Sequence, residues 1–200
     1  MNPDEGIPLT LQTGDALVVV DVQNDFLPGG ALGVPGGDEV IPVLNRYLAV
    51  WRERGLPVFA TRDWHPQGHC SFRERGGPWP PHCVAESPGA RFANALNLPP
   101  ATAVISKGTT PDQDAYSGFQ GTDLDDRLRR AGVRRVFVGG LATDYCVVST
   151  VRDALTRGYR TVVLADAIRA VNVQPDDGRK AEAEMGRLGA ALIRIEALTR

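Results

Sequence analysis

The chain has 200 residues, of which 42% are hydrophobic, which is enough to bury one sizeable core but too few for two full domains to be expected. Its 22 basic and 24 acidic residues nearly cancel to a net charge of -2, so no electrostatic footprint points to a nucleic acid or to an anionic membrane surface. We therefore expect one domain over residues 1–200 and no binding of polyanions.

Six short apolar runs rich in β-branched residues predict six strands. In chain order they are ALVVVD (16–21), PVFATRD (57–63), TAVISK (102–107), RVFVGG (135–140), TVVLAD (161–166) and ALIRI (191–195). The runs are almost continuously hydrophobic, which is typical of strands that are buried on both faces of a parallel sheet.

Helical periodicity lies between these runs and predicts helices over residues 38–54, 122–131, 144–157 and 177–188. Asp38 is a candidate N-cap of the first helix, and Gly55 lies just past its end. Thr122 and Asp125 resemble a capping box at the start of the second helix. Because strands and helices alternate, we predict a three-layer α/β/α sandwich around a parallel sheet.

Two segments are too long for ordinary connections, namely 64–100, with many glycines and prolines, and 108–121. Long ordered loops in small domains are usually functional. Both segments leave the carboxyl end of a predicted strand, which is where open α/β sheets bind their ligands. We therefore look for the functional site at this edge of the sheet.

Four reactive side chains are predicted to converge on that edge. Asp21, Asp63 and Lys107 end the first three strands, and Cys146 follows the fourth. Lys107 is one of only two lysines in the chain, and at the end of a buried strand it can pair with a carboxylate and hold it ionised. A purely structural ion pair is the alternative interpretation.

Cys146 lies where a glycine-rich strand end turns into a helix. The unpaired N–H groups at such a helix start lower the pKa of a thiol and favour the nucleophilic thiolate. The backbone N–H groups around Ala142 and Cys146 could also face an oxyanion. The alternative is an inert cysteine packed under the helix.

All three histidines lie between positions 65 and 82, next to Asp63. In an extended segment Asp63 and His65 point the same way, and His82 would complete the set. Two imidazoles and a carboxylate suit one divalent ion, with zinc the first choice and iron or manganese as alternatives. His69, and less so Glu74, remain open as a fourth ligand or as an orienting group.

The cellular compartment is predicted from two features. The N-terminal stretch MNPDEGIPLTLQTGD is acidic where a secretory signal would be basic and then apolar, and no apolar run is long enough to cross a bilayer. The three cysteines are an odd number and do not suggest a disulfide scaffold. We therefore expect a cytoplasmic protein, and the sequence leaves homo-oligomerisation open.

Five motifs, taken in order, cover nearly the whole chain: VVVDVQNDF, RDWHPQGHCSF, WPPHCVAESPGARF, SKGTTPDQDAYSGF and GLATDYCVVSTVRDA. Together they resemble the nicotinamidase/pyrazinamidase branch of the isochorismatase-like cysteine hydrolases. The resemblance implies a six-stranded parallel sheet of strand order 3-2-1-4-5-6. It also implies a non-proline cis peptide bond between Leu141 and Ala142.

The resemblance further assigns roles to individual residues. It implies a catalytic set, a metal-ligand set, an oxyanion hole and an aromatic pair that holds the substrate ring. These are, respectively, Asp21, Lys107 and Cys146; Asp63, His65 and His82; the Ala142 and Cys146 amides; and Phe26 and Trp79.

The implied reaction is the metal-dependent deamidation of nicotinamide to nicotinate and ammonia through a thioester, with pyrazinamide as a further substrate. In it Asp21, held ionised by Lys107, takes the proton of Cys146. An amidohydrolase of the same fold that acts on N-carbamoyl or ureido substrates is the alternative. Such relatives usually lack the Asp-x-His and His metal set, which favours nicotinamide here. A non-catalytic metal-binding protein would have no need of the nucleophile.

Overall fold

A six-stranded parallel sheet forms the centre of the protein in a computed structural model, which describes residues 9–199. The strands are β2 (Asp15–Val20), β3 (Val58–Asp63), β4 (Ala103–Lys107), β5 (Arg135–Leu141), β6 (Arg160–Arg169) and β7 (Ala191–Ile193). Two further short strands, β1 (Leu9–Thr10) and β8 (Leu198–Thr199), pair with each other in a separate parallel sheet.

The order of the strands across the main sheet is β4-β3-β2-β5-β6-β7. This is the predicted order 3-2-1-4-5-6, because the short β1 shifts each strand number by one. The chain therefore reverses direction across the sheet between β2 and β5, which pair with each other at the centre. That is the switch point at which such sheets bind ligands.

Within residues 9–199, four α-helices cover the two faces of the sheet: α1 (Val40–Glu53), α2 (Leu124–Arg130), α3 (Val148–Thr156) and α4 (Asp177–Arg187). The side chains of β2 alternate between two hydrophobic clusters. Leu17 and Val19 belong to the cluster that contains the buried face of α1. Val18 and Val20 belong to the cluster that contains α2, α3 and α4. The predicted three-layer sandwich is thus confirmed.

The ends of the helices differ from their predicted positions. A 3-10 turn (Gly37–Glu39) precedes α1, so Asp38 does not cap the helix. The predicted capping box is also wrong: the Thr122 hydroxyl accepts the Leu124 N–H at 3.3 Å and donates to the Gly118 carbonyl at 2.6 Å. Because α2 begins at Leu124 with Asp123 at the N-cap position, Thr122 lies outside the helix, and its hydroxyl accepts the N–H of Leu124 and not that of Asp125.

The predicted third helix is divided in two by the turn that carries Cys146. Residues Thr143–Val147 form a π-helical turn, and α3 begins only at Val148. The Ala142 carbonyl accepts N–H groups from both Tyr145 and Val147 at 3.1 Å, which widens the turn. A cis peptide bond joins Leu141 to Ala142, as the resemblance implied. In the described part of the chain, no helix is both long and apolar enough to cross a membrane.

Candidate active site

The carboxyl ends of neighbouring strands bring together the four side chains that the sequence placed at this edge. Asp63 and Lys107 are the last residues of β3 and β4 and pair directly in register. Asp21 follows β2, and Cys146 lies in the π-helical turn after β5. All four side chains are buried, although two carboxylates and an ammonium group are among them. Buried charges of this kind must be paired, so their mutual contacts decide the chemistry.

Lys107 is the centre of the cluster. Its Nζ lies 2.9 Å from Asp21 Oδ2 and donates to Asp63 Oδ1. The same ammonium donates to the Ala115 carbonyl at 3.2 Å and lies 3.5 Å from Cys146 Sγ. A pair between Lys107 and one carboxylate was predicted, whereas the structure gives this lysine two carboxylates and the sulfur.

The two carboxylates do not share the lysine equally. Burial acts to raise the pKa of Asp63, but Lys107 and His65 outweigh it, so this pKa is lowered and Asp63 is ionised. Burial also raises the pKa of Asp21, and here the opposing effect of Lys107 is not sufficient. Lys107 was predicted to favour the ionised form of Asp21, but its effect prevails over burial only at Asp63, and Asp21 is the more basic of the two carboxylates.

Cys146 is held in its neutral form. Burial is the main cause that raises the pKa of its thiol, and the nearby Asp21 and Asp63 carboxylates raise it further. Lys107 opposes this increase without cancelling it. The prediction that the helix start lowers the pKa of Cys146 is therefore wrong. Exclusion of water from the thiol, together with the negative charges of Asp21 and Asp63, outweighs the partial positive charge of the helix start. Such a thiol needs a base before it can act as a nucleophile.

Asp21 is placed to be that base. Its backbone is in the left-handed region, with φ of 49°, and its Oδ1 accepts the Thr61 hydroxyl hydrogen at 2.6 Å. Its Oδ2 lies near Lys107 Nζ but has no aligned hydrogen bond. One ligand atom each of Asp21, Asp63 and Cys146 lies within 4.8 Å of the others. Asp21 Oδ2 is therefore an unoccupied acceptor that can take the proton of the Cys146 thiol.

A second cluster, formed by Asp63, His65 and His82, is suited to a metal ion. One ligand atom of each lies within 4.8 Å of the others, and all three residues are buried. Nδ1 of His65 is bonded to the Gly108 carbonyl at 2.9 Å, and Nδ1 of His82 to the Pro80 carbonyl at 2.8 Å. Both rings thus keep Nε2 as the free nitrogen, which is the usual way in which proteins orient a ligating histidine.

The protonation of these histidines agrees with a cation site. Burial lowers the pKa of His82, which keeps its imidazole neutral and able to donate a lone pair. Burial acts in the same direction on His65, but Asp63 outweighs it and raises the pKa of His65. Nε2 of His65 lies 3.7 Å from Asp63 Oδ2. The space between these two atoms therefore favours a positive charge.

His69 does not join this cluster, although the sequence left it open as a ligand. Its Nδ1 bonds to the Ser71 hydroxyl at 2.8 Å and its Nε2 to the Gln113 carbonyl at 3.0 Å, so both ring nitrogens are engaged. Its ring instead stacks on that of His65, with centroids 4.1 Å apart. Glu74, the other open candidate, is exposed on a 3-10 turn (Arg73–Arg75) away from the three ligands.

A small pocket opens between the two clusters. Three cluster residues line it: Asp63, which belongs to both clusters, Cys146 from the first and His82 from the second. The rest of the lining is apolar or aromatic, namely Phe26, Leu32, Val34, Trp79, Tyr116, Ala142, Tyr145 and Val171. Phe26 packs near His82, with ring centroids 5.7 Å apart. Trp79 contacts Tyr145 edge-on at 5.2 Å and donates its Nε1–H to the Tyr116 hydroxyl at 3.0 Å. A flat aromatic molecule suits such walls.

Sequence reasoning identified Phe26 and Trp79 but missed three neighbours. Tyr116 and Tyr145 complete the aromatic wall. Gln23 is fully buried and holds Asp63 from both sides: its Oε1 accepts the Asp63 N–H and its Nε2 donates to the Asp63 carbonyl, each at 2.8 Å. The available signal was a polar residue two positions after Asp21, at the end of a central strand.

The chain belongs to the isochorismatase domain family, whose sequence profile matches residues 15–197. It is 43% identical to nicotinamidase of Escherichia coli over 198 residues, which cover 88% of this chain and 93% of that relative. Pyrazinamidase of Pyrococcus horikoshii, solved in complex with zinc, has a TM-score of 0.88 and 50% identity and covers 91% of this chain and 99% of its own.

An L. infantum structure in complex with nicotinate is also similar, with a TM-score of 0.89 and 39% identity. That match covers 96% of this chain and 99% of the other. The resemblance to nicotinamidases and pyrazinamidases, inferred above from five motifs, is therefore confirmed.

Proposed function

We propose that the protein hydrolyses nicotinamide to nicotinate and ammonia through a thioester on Cys146, and that pyrazinamide is a second substrate. One observation carries the proposal: the Lys107 ammonium contacts Asp21, Asp63 and Cys146 at once, so a nucleophile with its base and a cluster suited to a metal share one aromatic pocket. The small, flat ring of nicotinamide fits the chemistry of the walls.

In the first half of the reaction, Asp21 accepts the thiol proton and the Cys146 sulfur attacks the carboxamide carbon. The carbon–sulfur bond forms while the carbonyl electron pair moves onto oxygen. Ala142 and Cys146 both line the pocket, and we assign the stabilisation of this oxyanion to their backbone N–H groups. When the oxyanion collapses, the carbon–nitrogen bond breaks and Asp21 returns its proton to the leaving ammonia.

In the second half, Asp21 takes a proton from water and the resulting hydroxide attacks the thioester carbon. The carbon–sulfur bond then breaks, Asp21 returns the proton that it took from water to the Cys146 sulfur, and nicotinate leaves after losing its carboxyl proton to solvent. Asp21 suits both halves because its burial raises its pKa and one of its oxygens has no hydrogen bond. The ionised Asp63 in turn keeps Lys107 protonated, so the positive charge of the ammonium stays beside Asp21 and the Cys146 sulfur.

The donor set of Asp63, His65 and His82 would hold one divalent metal ion, with zinc the first choice and iron or manganese as alternatives. When bound, such an ion would supply a Lewis-acid contact that orients the ring nitrogen of the substrate. Phe26 and Trp79 would confine the ring from the apolar side of the pocket. An N-carbamoyl or ureido substrate has no ring for these walls, and for this reason nicotinamide is favoured.

The test is ammonia release from nicotinamide and pyrazinamide by the purified protein and by Cys146→Ala. We expect the variant to lose activity by about 10⁵-fold or more, the scale on which removal of a nucleophile acts. Cys70→Ala is the matched control, because Cys70 lies beside His69 and does not line the pocket. Full activity of Cys146→Ala, or a wild type that hydrolyses only ureido compounds, would contradict the proposal.

A further inference from the structure

In the π-helical turn Thr143–Val147, three consecutive side chains reach two different places. Tyr145 and Cys146 both line the pocket. Asp144 reaches away from it, to the loop that follows β6. A π-helical turn changes the angular spacing of its residues relative to an α-helix and occurs often at functional sites. Asp144, the residue directly before Tyr145, therefore makes hydrogen bonds outside the pocket whose role is not explained by the reaction.

Asp144 binds the backbone of this loop with both carboxylate oxygens. Its Oδ1 accepts the Val171 N–H at 2.9 Å, and its Oδ2 accepts the Asn172 N–H at 2.8 Å. Asn172 is in the left-handed region, with φ of 54°. A left-handed residue can aim successive N–H groups at one anion, and hydrogen bonds to an ionised acceptor are about twice as strong as neutral ones.

The other side of the loop is attached to α4. The Asn172 side-chain oxygen accepts the Gly178 N–H at 2.9 Å, in the first turn of that helix. Gly178 has no room for a side chain, because a Cβ there would lie 2.5 Å from the Ala170 Cβ. Within the described residues, Asp144 supplies the only side-chain hydrogen bonds to the backbone of residues 170–173. The loop is therefore fixed between α4 and the turn that carries Cys146.

Val171 is the residue that connects this clamp to the pocket. Its N–H is bound by Asp144, and its side chain lines the pocket together with Tyr145 and Cys146. Val171 is half-buried and packs against the hydrophobic cluster that contains α1, whereas its neighbours Asn172 and Val173 are exposed. Packing therefore holds the Val171 side chain only in part, and hydrogen bonds hold the rest of the loop. We infer that Asp144 is a positioning residue that fixes the Val171 wall and thereby sets which substituents on the substrate ring the pocket admits. This inference rests on the proposed function.

The experiment compares Asp144→Ala and Asp144→Asn with the wild type. In Asp144→Ala the loop loses both hydrogen bonds to the carboxylate. We expect KM for nicotinamide to rise about tenfold or more, because the Val171 wall is no longer held in place, with kcat within about threefold. Methyl-substituted nicotinamides should gain in kcat/KM relative to nicotinamide. Amide hydrogen exchange of residues 170–173 should become faster in both variants, less so in Asp144→Asn, which keeps one acceptor oxygen.

Two further variants complete the design. Val171→Ala should widen the substrate range in the same way, while the rate of amide hydrogen exchange in residues 170–173 stays as in the wild type. Asp153→Ala, on α3 directly after the π-helical turn and paired with Arg157 at 3.2 Å, should change neither the substrate range nor the exchange of the loop. Unchanged exchange in both Asp144 variants, or a loss confined to kcat, would overturn the inference. A wild type without nicotinamide hydrolysis would defeat the proposed function instead, and the exchange data would still decide whether Asp144 holds the loop.

Discussion

A buried aspartate lies next to a cation at each end of β2: Asp15 is its first residue and Asp21 follows its last. The two carboxylates differ in whether all their oxygens accept hydrogen bonds. At the amino end, Asp15 accepts two hydrogen bonds from Arg135, at 2.8 and 2.6 Å, and a third from the Gln12 N–H at 2.7 Å. At the carboxyl end, Asp21 shares Lys107 with Asp63, and its Oδ2 has no aligned hydrogen bond.

The difference shows what separates a structural ion pair from a reactive one. An arginine fork matches one carboxylate in two places and leaves no acceptor open, which suits a role in stability. A lysine is a point charge that two carboxylates can share, and one of them then keeps a raised pKa and a free oxygen. Only the second arrangement can exchange a proton with a nearby thiol.

The distinction between a reactive and a structural aspartate is tested most directly by removing the charge from each aspartate in turn. Asp21→Asn should lower kcat for nicotinamide by about 10²- to 10⁴-fold, because a general base contributes on that scale. Asp15→Asn should leave kcat per folded molecule within about twofold, since its carboxylate lies at the opposite end of β2 and serves only Arg135 and Gln12. Steady-state kinetics with active-site titration measures both. Equal losses in the two variants would refute the distinction.

Removal of the two cations tests the same contrast through stability. Lys107→Met should lower the free energy of unfolding by about 3–5 kcal/mol, because two buried carboxylates lose their common partner. Arg135→Met should cost less, because it leaves one buried carboxylate without its cation instead of two and Asp15 keeps the hydrogen bond from the Gln12 N–H. Urea denaturation in the presence of a chelator measures both values without a contribution from metal. A smaller cost for Lys107→Met would mean that Asp21 and Asp63 are not both charged.

Two stacked histidines show the same difference between a side chain with a free acceptor atom and one whose polar atoms are all hydrogen-bonded. His65 has one free ring nitrogen, whereas both nitrogens of its stacked neighbour His69 are engaged. His65→Ala should therefore abolish stoichiometric zinc binding. His69→Gln should keep one zinc per chain with an affinity lowered about 10- to 100-fold, the usual effect of a group that orients a ligand. Elemental analysis and competition with a chromophoric chelator give these values. Complete loss of zinc from His69→Gln would make His69 a ligand.

Much of the fold could be predicted because it depends on local hydrophobic patterns. The six apolar runs correspond to β2 through β7, and their order follows from the family resemblance. The errors lie at element ends, where a single hydrogen bond decides the outcome. Thr122 bonds to Gly118 rather than forming a capping box, and the Ala142 carbonyl converts the start of the predicted third helix into a π-helical turn.

The sequence by itself determined which reactive residues lie at the carboxyl edge of the sheet, because parallel strands must end on the same side and each run ends in a recognisable residue. Only the tertiary structure decided how these residues share charge. Lys107 favours Asp63 over Asp21, burial keeps the Cys146 thiol protonated, and Asp144 turns away to hold Val171. These outcomes depend on distances of a few ångströms and on exclusion of water between residues far apart in the chain, which no local pattern encodes.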